Sequence, residues 1–212
     1  EDGIRDHCVT GVQTCALPIW PFWNYFFPRA RQLFPAALSD VRPDAFYDAI
    51  NVVRPSLIRI EADEATYNLH ILIRFELEQA LLSEELSTRD LPEAWNDKYH
   101  RYLGVTPASD AQGCLQDIHC SAGLFGYFPT YTLGNMHAAA MLDQAKADLG
   151  DLDGGFSHGD FSALLGWLRE KVHRQGQRYH AHELIQEITG ETLGCSRLMR
   201  YLREKFGEVY AL

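Results

Sequence analysis

No HExxH string occurs anywhere in the 212 residues. The helical pair of histidines that grips a catalytic zinc, with its glutamate as base, therefore has no counterpart in this sequence. CxxC pairs are also absent: Cys8, Cys15, Cys114, Cys120 and Cys195 are scattered and odd in number. That argues against a disulfide framework and for a reducing, cytoplasmic setting. No run approaches the roughly 20 apolar residues that cross a bilayer, so no membrane partner is expected. Basic residues are scarce, 19 Lys and Arg against 29 Asp and Glu, for a net charge of −10. Phosphate backbones are held by clustered basic side chains, so no nucleic-acid partner is expected. Internal repeats, low-complexity tracts and hairpin-forming strand pairs are missing as well.

What is present reads as a globular, all-α protein. The apolar fraction is 46% and the charged fraction 23%, enough for one sizeable core or two small ones. Trp20 to Phe34 is dense in aromatics and punctuated by Pro28 and Pro35, a composition of cores and interfaces. Asp44 to Val53 reads as a short helix, stopped by Pro55. A long helix is predicted over Ser56 to Ser83. Ala65, Leu69, Leu72, Ile73, Leu77, Ala80 and Leu81 form its apolar face, and Asp63, Tyr67, His70, Arg74 and Glu78 a polar stripe. Leu91 to Leu103 follows, with Asp90 as N-cap, Pro92 in the first turn and Gly104 as terminator. Ala108 to Asn135 is irregular and glycine-rich. Further helices are predicted at Thr130 to Asp148, Phe161 to Gln175, His182 to Thr189 and Ser196 to Phe206, with Gly190 a C-cap.

Candidate chemistry gathers in the middle of the chain. Arg59 offers a planar fork that pairs with a carboxylate; the plainer alternative is a surface ion pair with Glu61 or Glu64. His119 can donate to a developing oxyanion, with Gln116 and Asp117 as neighbours able to fix its tautomer; otherwise it is a core or surface histidine. Tyr127 and Tyr131 can hold an intermediate or substrate backbone through their hydroxyls, or simply bury their rings. His158-Gly159-Asp160 reads as a helix cap through Asp160. His180 and His182 would point to different helix faces, which speaks against a metal pair. Cys114 and Cys120 have no basic neighbour to activate a thiol.

Ile58-Arg59-Ile60-Glu61-Ala62-Asp63 and Gly113-Cys114-Leu115-Gln116-Asp117-Ile118-His119-Cys120 resemble two signature motifs of the thermostable carboxypeptidase Taq-type metallocarboxypeptidases. Asn51 to Ser56 and Phe128 to Asn135 also look like family text. The second motif departs at its end, where Cys120 stands in place of tryptophan. The resemblance covers Trp20 to Leu212 and implies the C-terminal portion of a mainly helical, saddle-shaped metallopeptidase, homodimeric when full length. It implies removal of C-terminal residues from peptides by metal-activated water. Zn2+ or Co2+ would sit on HExxH and a downstream glutamate, all upstream of the matching segment. No metal ligand is therefore assigned in this chain, and the fragment alone is expected to be inactive. By the same resemblance His119 and Tyr131 are catalytic, and Arg59, Gln116, Asp117 and Tyr127 bind substrate. The alternative is a non-catalytic helical interaction or dimerisation module. Glu1 to Ile19 reads unlike the rest and resembles a translated sequencing adapter, which sets it apart from residues 20–212.

Overall fold

The computed structural model describes residues 19–212, so the expectation for the N-terminal segment falls outside the described residues except at Ile19. No strand occurs among the described residues. They divide into two compact units: residues 19–51 with 133–212, and residues 52–132.

In the first unit α1 (Trp20–Leu33) begins with a proline in its first turn, accommodates Pro28, and is followed by α2 (Pro35–Leu38) and α3 (Pro43–Ile50). Of the aromatic run only Phe27 is fully buried, its ring 4.9 Å from that of Phe46. Helix α6 (Pro129–Leu149) brings Ala138, Met141, Leu142 and Ala145 into a core shared with Phe156, Leu164, Trp167, Leu168 and Ile185. These come from α7 (Leu152–Ser157), α8 (Ser162–Lys171) and α9 (Ala181–Thr189). The unit closes with α10 (Ser196–Tyr210).

Helix α7 is absent from the sequence reading, because Gly154 and Gly155 argue against a helix interior. Its Asp151 side chain accepts from the Gly154 N–H at 2.7 Å and offsets part of that cost. Asp160, expected as the cap, stands one residue before the N-cap Phe161 and accepts from the Ser162 N–H at 2.9 Å. Helix α8 is shorter than predicted: it stops at Lys171, and a separate 3-10 turn spans His173–Gln175. His180 starts α9 and forms a reciprocal capping box with Glu183. Gly190 ends α9 in the left-handed region, at φ 72°.

In the second unit the long helix predicted over Ser56 to Ser83 is α4 (Tyr67–Leu82), preceded by a 3-10 turn at Arg59–Glu61. Asp63 causes the break. Its carboxylate accepts from the N–H groups of Arg54, Ala65 and Thr66 and from the Thr66 hydroxyl. Such local side-chain bonds compete with continuous helix. Helix α5 (Leu91–Leu103) has the predicted bounds and ends at Gly104, φ 70°. Asp90 occupies the N-cap position, but its carboxylate accepts from the Ser87 hydroxyl rather than from the helix. Ile73 and Leu77 of α4 pack with Trp95, Tyr99 and Leu103 of α5. Leu72 of the expected apolar face is exposed, whereas His70, Arg74 and Glu78 of the polar stripe are buried.

Candidate functional site

A charged group inside a protein needs partners that replace its water. Arg59 and Arg74 meet that requirement on one residue, Asp117, within the second unit. Asp117 Oδ1 accepts from Arg59 Nε at 3.0 Å and Nη2 at 2.7 Å, and Oδ2 accepts from Arg74 Nε at 2.6 Å. Burial pushes the Asp117 carboxyl up, but the hydrogen bond from Arg59 and the charge of Arg74 hold it below its ordinary value. Burial works against the Arg59 charge too, and Asp117 outweighs it, raising the guanidinium's pKa. The surface pairing of Arg59 with Glu61 or Glu64 is not what forms.

Gln116 Oε1 accepts from the Arg59 backbone N–H at 2.9 Å and from Arg74 Nη2 at 2.7 Å. Its amide nitrogen reaches Leu57 O, Gln112 O and the Tyr99 hydroxyl. Gln116 and Asp117 thus stand behind Arg59, with their polar atoms engaged by the protein itself. The remaining face of Arg59 is aromatic. Its guanidinium carbon lies 5.0 Å from the Tyr131 ring centroid, 5.7 Å from Phe128 and 6.0 Å from Tyr67, and Nη1 donates to the Tyr67 hydroxyl at 3.0 Å. These rings can hold a cation while leaving spare N–H donors for an anion.

His119 and Tyr131 form a pair beside that guanidinium, with Nε2 3.0 Å from the hydroxyl. The imidazole packs on Phe128 at 4.4 Å and on Tyr127 at 5.7 Å between centroids. Asp117 does not fix its tautomer: Oδ1 lies 3.9 Å from Nδ1, beyond hydrogen-bond reach, because the arginines take that carboxylate. Nδ1 is buried without a partner. Burial lowers the His119 pKa, with Asp117 opposing and both arginines reinforcing, so the ring is neutral at pH 7. Burial raises the Tyr131 pKa, so its phenol keeps its proton. A neutral imidazole bonded to a protonated phenol can supply one donor to an oxyanion. Tyr127 lies next to this pair through its ring, 5.5 Å from that of Tyr131. Cys120 is exposed, so the imidazole takes its aromatic packing from Phe128 instead of position 120.

Sequence reasoning did not single out Tyr67, Phe128 or Tyr99 for the site, and placed Arg74 only in a stripe. Tyr99 is fully buried; its hydroxyl accepts from Arg74 Nη1 at 3.1 Å and from Gln116 Nε2 at 3.3 Å. Its own proton then goes to His70 Nδ1, 3.1 Å away, which makes His70 the Nε2–H tautomer. Burial, followed by the charges of Arg74 and Arg59, lowers the His70 pKa to about 4. The signal for Arg74 was its place between His70 and Glu78 on a helix rich in apolar residues.

The residues present do not suit a metal ion. No group of three or more His, Cys, Asp or Glu able to hold one occurs among the described residues. Asp117 is taken by guanidiniums and His119 Nε2 by Tyr131, and a lone His119 Nδ1 does not make a metal site. No catalytic step is therefore routed through a metal in these residues.

Comparison with known proteins identifies the family. Residues 20–206 match the family model described as carboxypeptidase Taq (M32) metallopeptidase. The chain is 50% identical over 189 residues to thermostable carboxypeptidase 1 of Thermus thermophilus, covering 89% of this chain and 37% of that protein. It is 44% identical over 191 residues to carboxypeptidase 1 of Bacillus subtilis, covering 90% and 38%. Among solved structures, the M32 carboxypeptidase of Deinococcus radiodurans superposes with a TM-score of 0.89 at 43% identity, covering 92% of this chain and 39% of that one. The chain thus spans little more than a third of the curated relatives it matches. The motif residues, the all-helical fold and these matches together place the chain in the M32 family of metallocarboxypeptidases.

Proposed function

We propose that residues 20–206 form the substrate-binding side of a metal-dependent carboxypeptidase that releases C-terminal residues from peptides. The observation that carries this reading is Arg59, a buried guanidinium fixed on one side by Asp117 and flanked by the rings of Tyr67, Phe128 and Tyr131. A free peptide carboxylate is planar and matches that fork. Arg59 takes the carboxylate; Gln116 and Asp117 hold Arg59 in place. The His119–Tyr131 pair faces the carbonyl oxygen of the last peptide bond and gives it one donor as charge develops. Tyr127 flanks the bound residue. The metal, zinc or cobalt in this reading, is held by parts of the protein outside these residues, and a homodimer acting on peptides in the cytoplasm completes the picture. Family membership supports the metal dependence and the peptide substrate among these points.

A chimera tests the reading: residues 20–206 replace the matching segment of the Thermus thermophilus relative, and release of C-terminal residues from short peptides is measured. Activity in the chimera that disappears with Arg59→Met is the expected result. A folded, metal-loaded chimera that releases nothing overturns it. The interaction-module alternative draws support from Leu72, Phe75 and Leu82, exposed along one side of α4. It predicts self-association of the 212-residue chain, checked by sedimentation.

A further inference from the structure

Arg74 is the most deeply buried cation among the described residues, at 1% exposure, and every direction of its guanidinium is occupied by protein. Nε meets Asp117 Oδ2 at 2.6 Å, and Nη2 meets Gln116 Oε1 at 2.7 Å. Nη1 meets His70 O at 2.9 Å and the Tyr99 hydroxyl at 3.1 Å. Its faces lie against Trp95, 4.7 Å to the centroid, and Phe128, 5.5 Å. Four of its five N–H donors are engaged and the side chain is enclosed by protein, so Arg74 does not touch substrate. Two of the four groups it grips, the side chains of Asp117 and Gln116, are also the ones that hold Arg59. Asp117 fixes the Arg59 side chain, and Gln116 Oε1 fixes the Arg59 main-chain N–H.

We propose that Arg74 is a positioning residue: by locking Asp117 and Gln116 together it fixes both the backbone and the guanidinium of Arg59 for the substrate carboxylate. This rests on the functional reading above. The geometry explains why arginine stands there. Two nitrogens of one rigid fork reach acceptors on two consecutive residues, which a lysine ammonium, a single point on a flexible stem, does not reproduce. Replacing a buried ion pair by apolar side chains is often neutral for stability, so stability alone is a weak reason to bury a second arginine here. Phe128 strengthens the coupling, because it lies against both guanidiniums, 5.7 Å from Arg59 and 5.5 Å from Arg74.

The test is steady-state kinetics on the chimera with Arg74→Lys, alongside thermal melting. Loosening Arg59 lowers kcat/KM roughly 10²-fold, since small misplacements of a binding group carry that cost. The loss falls mainly on KM, which rises about tenfold or more, because the carboxylate grip is a binding interaction. A purely structural role would reduce the folded fraction and the apparent kcat while leaving KM alone. A folded Arg74→Lys chimera whose KM stays within about twofold of the parent overturns the proposal. Should Arg74→Lys fail to fold, Tyr99→Phe removes only the hydroxyl under Arg74. It is expected to raise KM about threefold, and an unchanged KM counts against the proposal equally. An inactive parent chimera overturns the functional reading itself, and this inference with it.

Discussion

Asp117 Oδ1 accepts both Nε and Nη2 of Arg59, at 3.0 and 2.7 Å, from 58 residues further along the chain. With Arg74 on the other oxygen, one carboxylate balances two buried guanidiniums. Asp117→Asn leaves both cations facing a neutral amide. Removing one partner of a buried pair costs roughly 3–5 kcal/mol, and urea denaturation should show a loss of that size. A loss under about 1 kcal/mol would mean that the pair behaves as an exposed one. The lowered Asp117 pKa sets the pH window: this stabilisation is full above the ordinary carboxylate range and is lost as pH falls through the lowered value.

His70 provides a second, separate acid response. Its folded pKa is about 4 against the ordinary 6.5. The unfolded chain therefore takes up a proton first as pH falls, and stability declines between about pH 6.5 and pH 4. The full effect is roughly 3 kcal/mol from a shift of this size. NMR of the imidazole should show His70 neutral and Nε2-protonated at pH 6. A ring that titrates near 6.5 would contradict the burial that lowers its pKa, and a ring protonated at Nδ1 would contradict the Tyr99 hydrogen bond.

Glu78 responds in the opposite sense. It is buried, Oε2 accepts from the Gly126 N–H at 3.0 Å, and Oε1 has no partner. Burial raises its pKa, with the Gly126 bond opposing. Stability is then present below the ordinary carboxyl pKa and is lost as pH rises through the raised value. Glu78→Gln removes that dependence, so its stability relative to the parent should increase with pH. Parallel denaturation curves at pH 5 and pH 8 with no change in the difference would refute this.

His119 and Tyr131 are expected to act on turnover. In the chimera, His119→Ala should lower kcat by roughly 10²–10³, the cost of losing one oxyanion donor. Tyr131→Phe keeps the ring near Arg59 and removes the hydroxyl; a loss of roughly tenfold fits one hydrogen bond. If either substitution changes KM alone, the pair binds substrate rather than stabilising charge.

Helix ends were legible in the sequence wherever one residue type dictates the backbone. Gly104 and Gly190 both adopt the left-handed conformation that was read from them. Asp63 was misread, because a helical pattern of apolar residues does not reveal a carboxylate that gathers three backbone N–H groups ahead of Tyr67. The candidate site was legible as motif text, down to Arg59 and His119. What was hidden is which partners they take. Asp117 stands two residues before His119 in sequence yet pairs with arginines 43 and 58 positions away. No local periodicity encodes that choice; it follows from α4 burying Arg74 where the Asp117 carboxylate balances its charge.

The Arg59–Asp117 pairing also has a place in time. Helices α4 and α5 meet through residues about two dozen apart, such as Arg74 and Tyr99, whereas Asp117 must return across 58 residues to reach Arg59. Closing longer loops carries a larger entropy cost before any contact forms, so local helix pairing precedes the completed site. The bonds that orient Arg59 are then among the last made on folding and the first released on unfolding. Substitutions at Asp117 will speed unfolding far more than they slow folding.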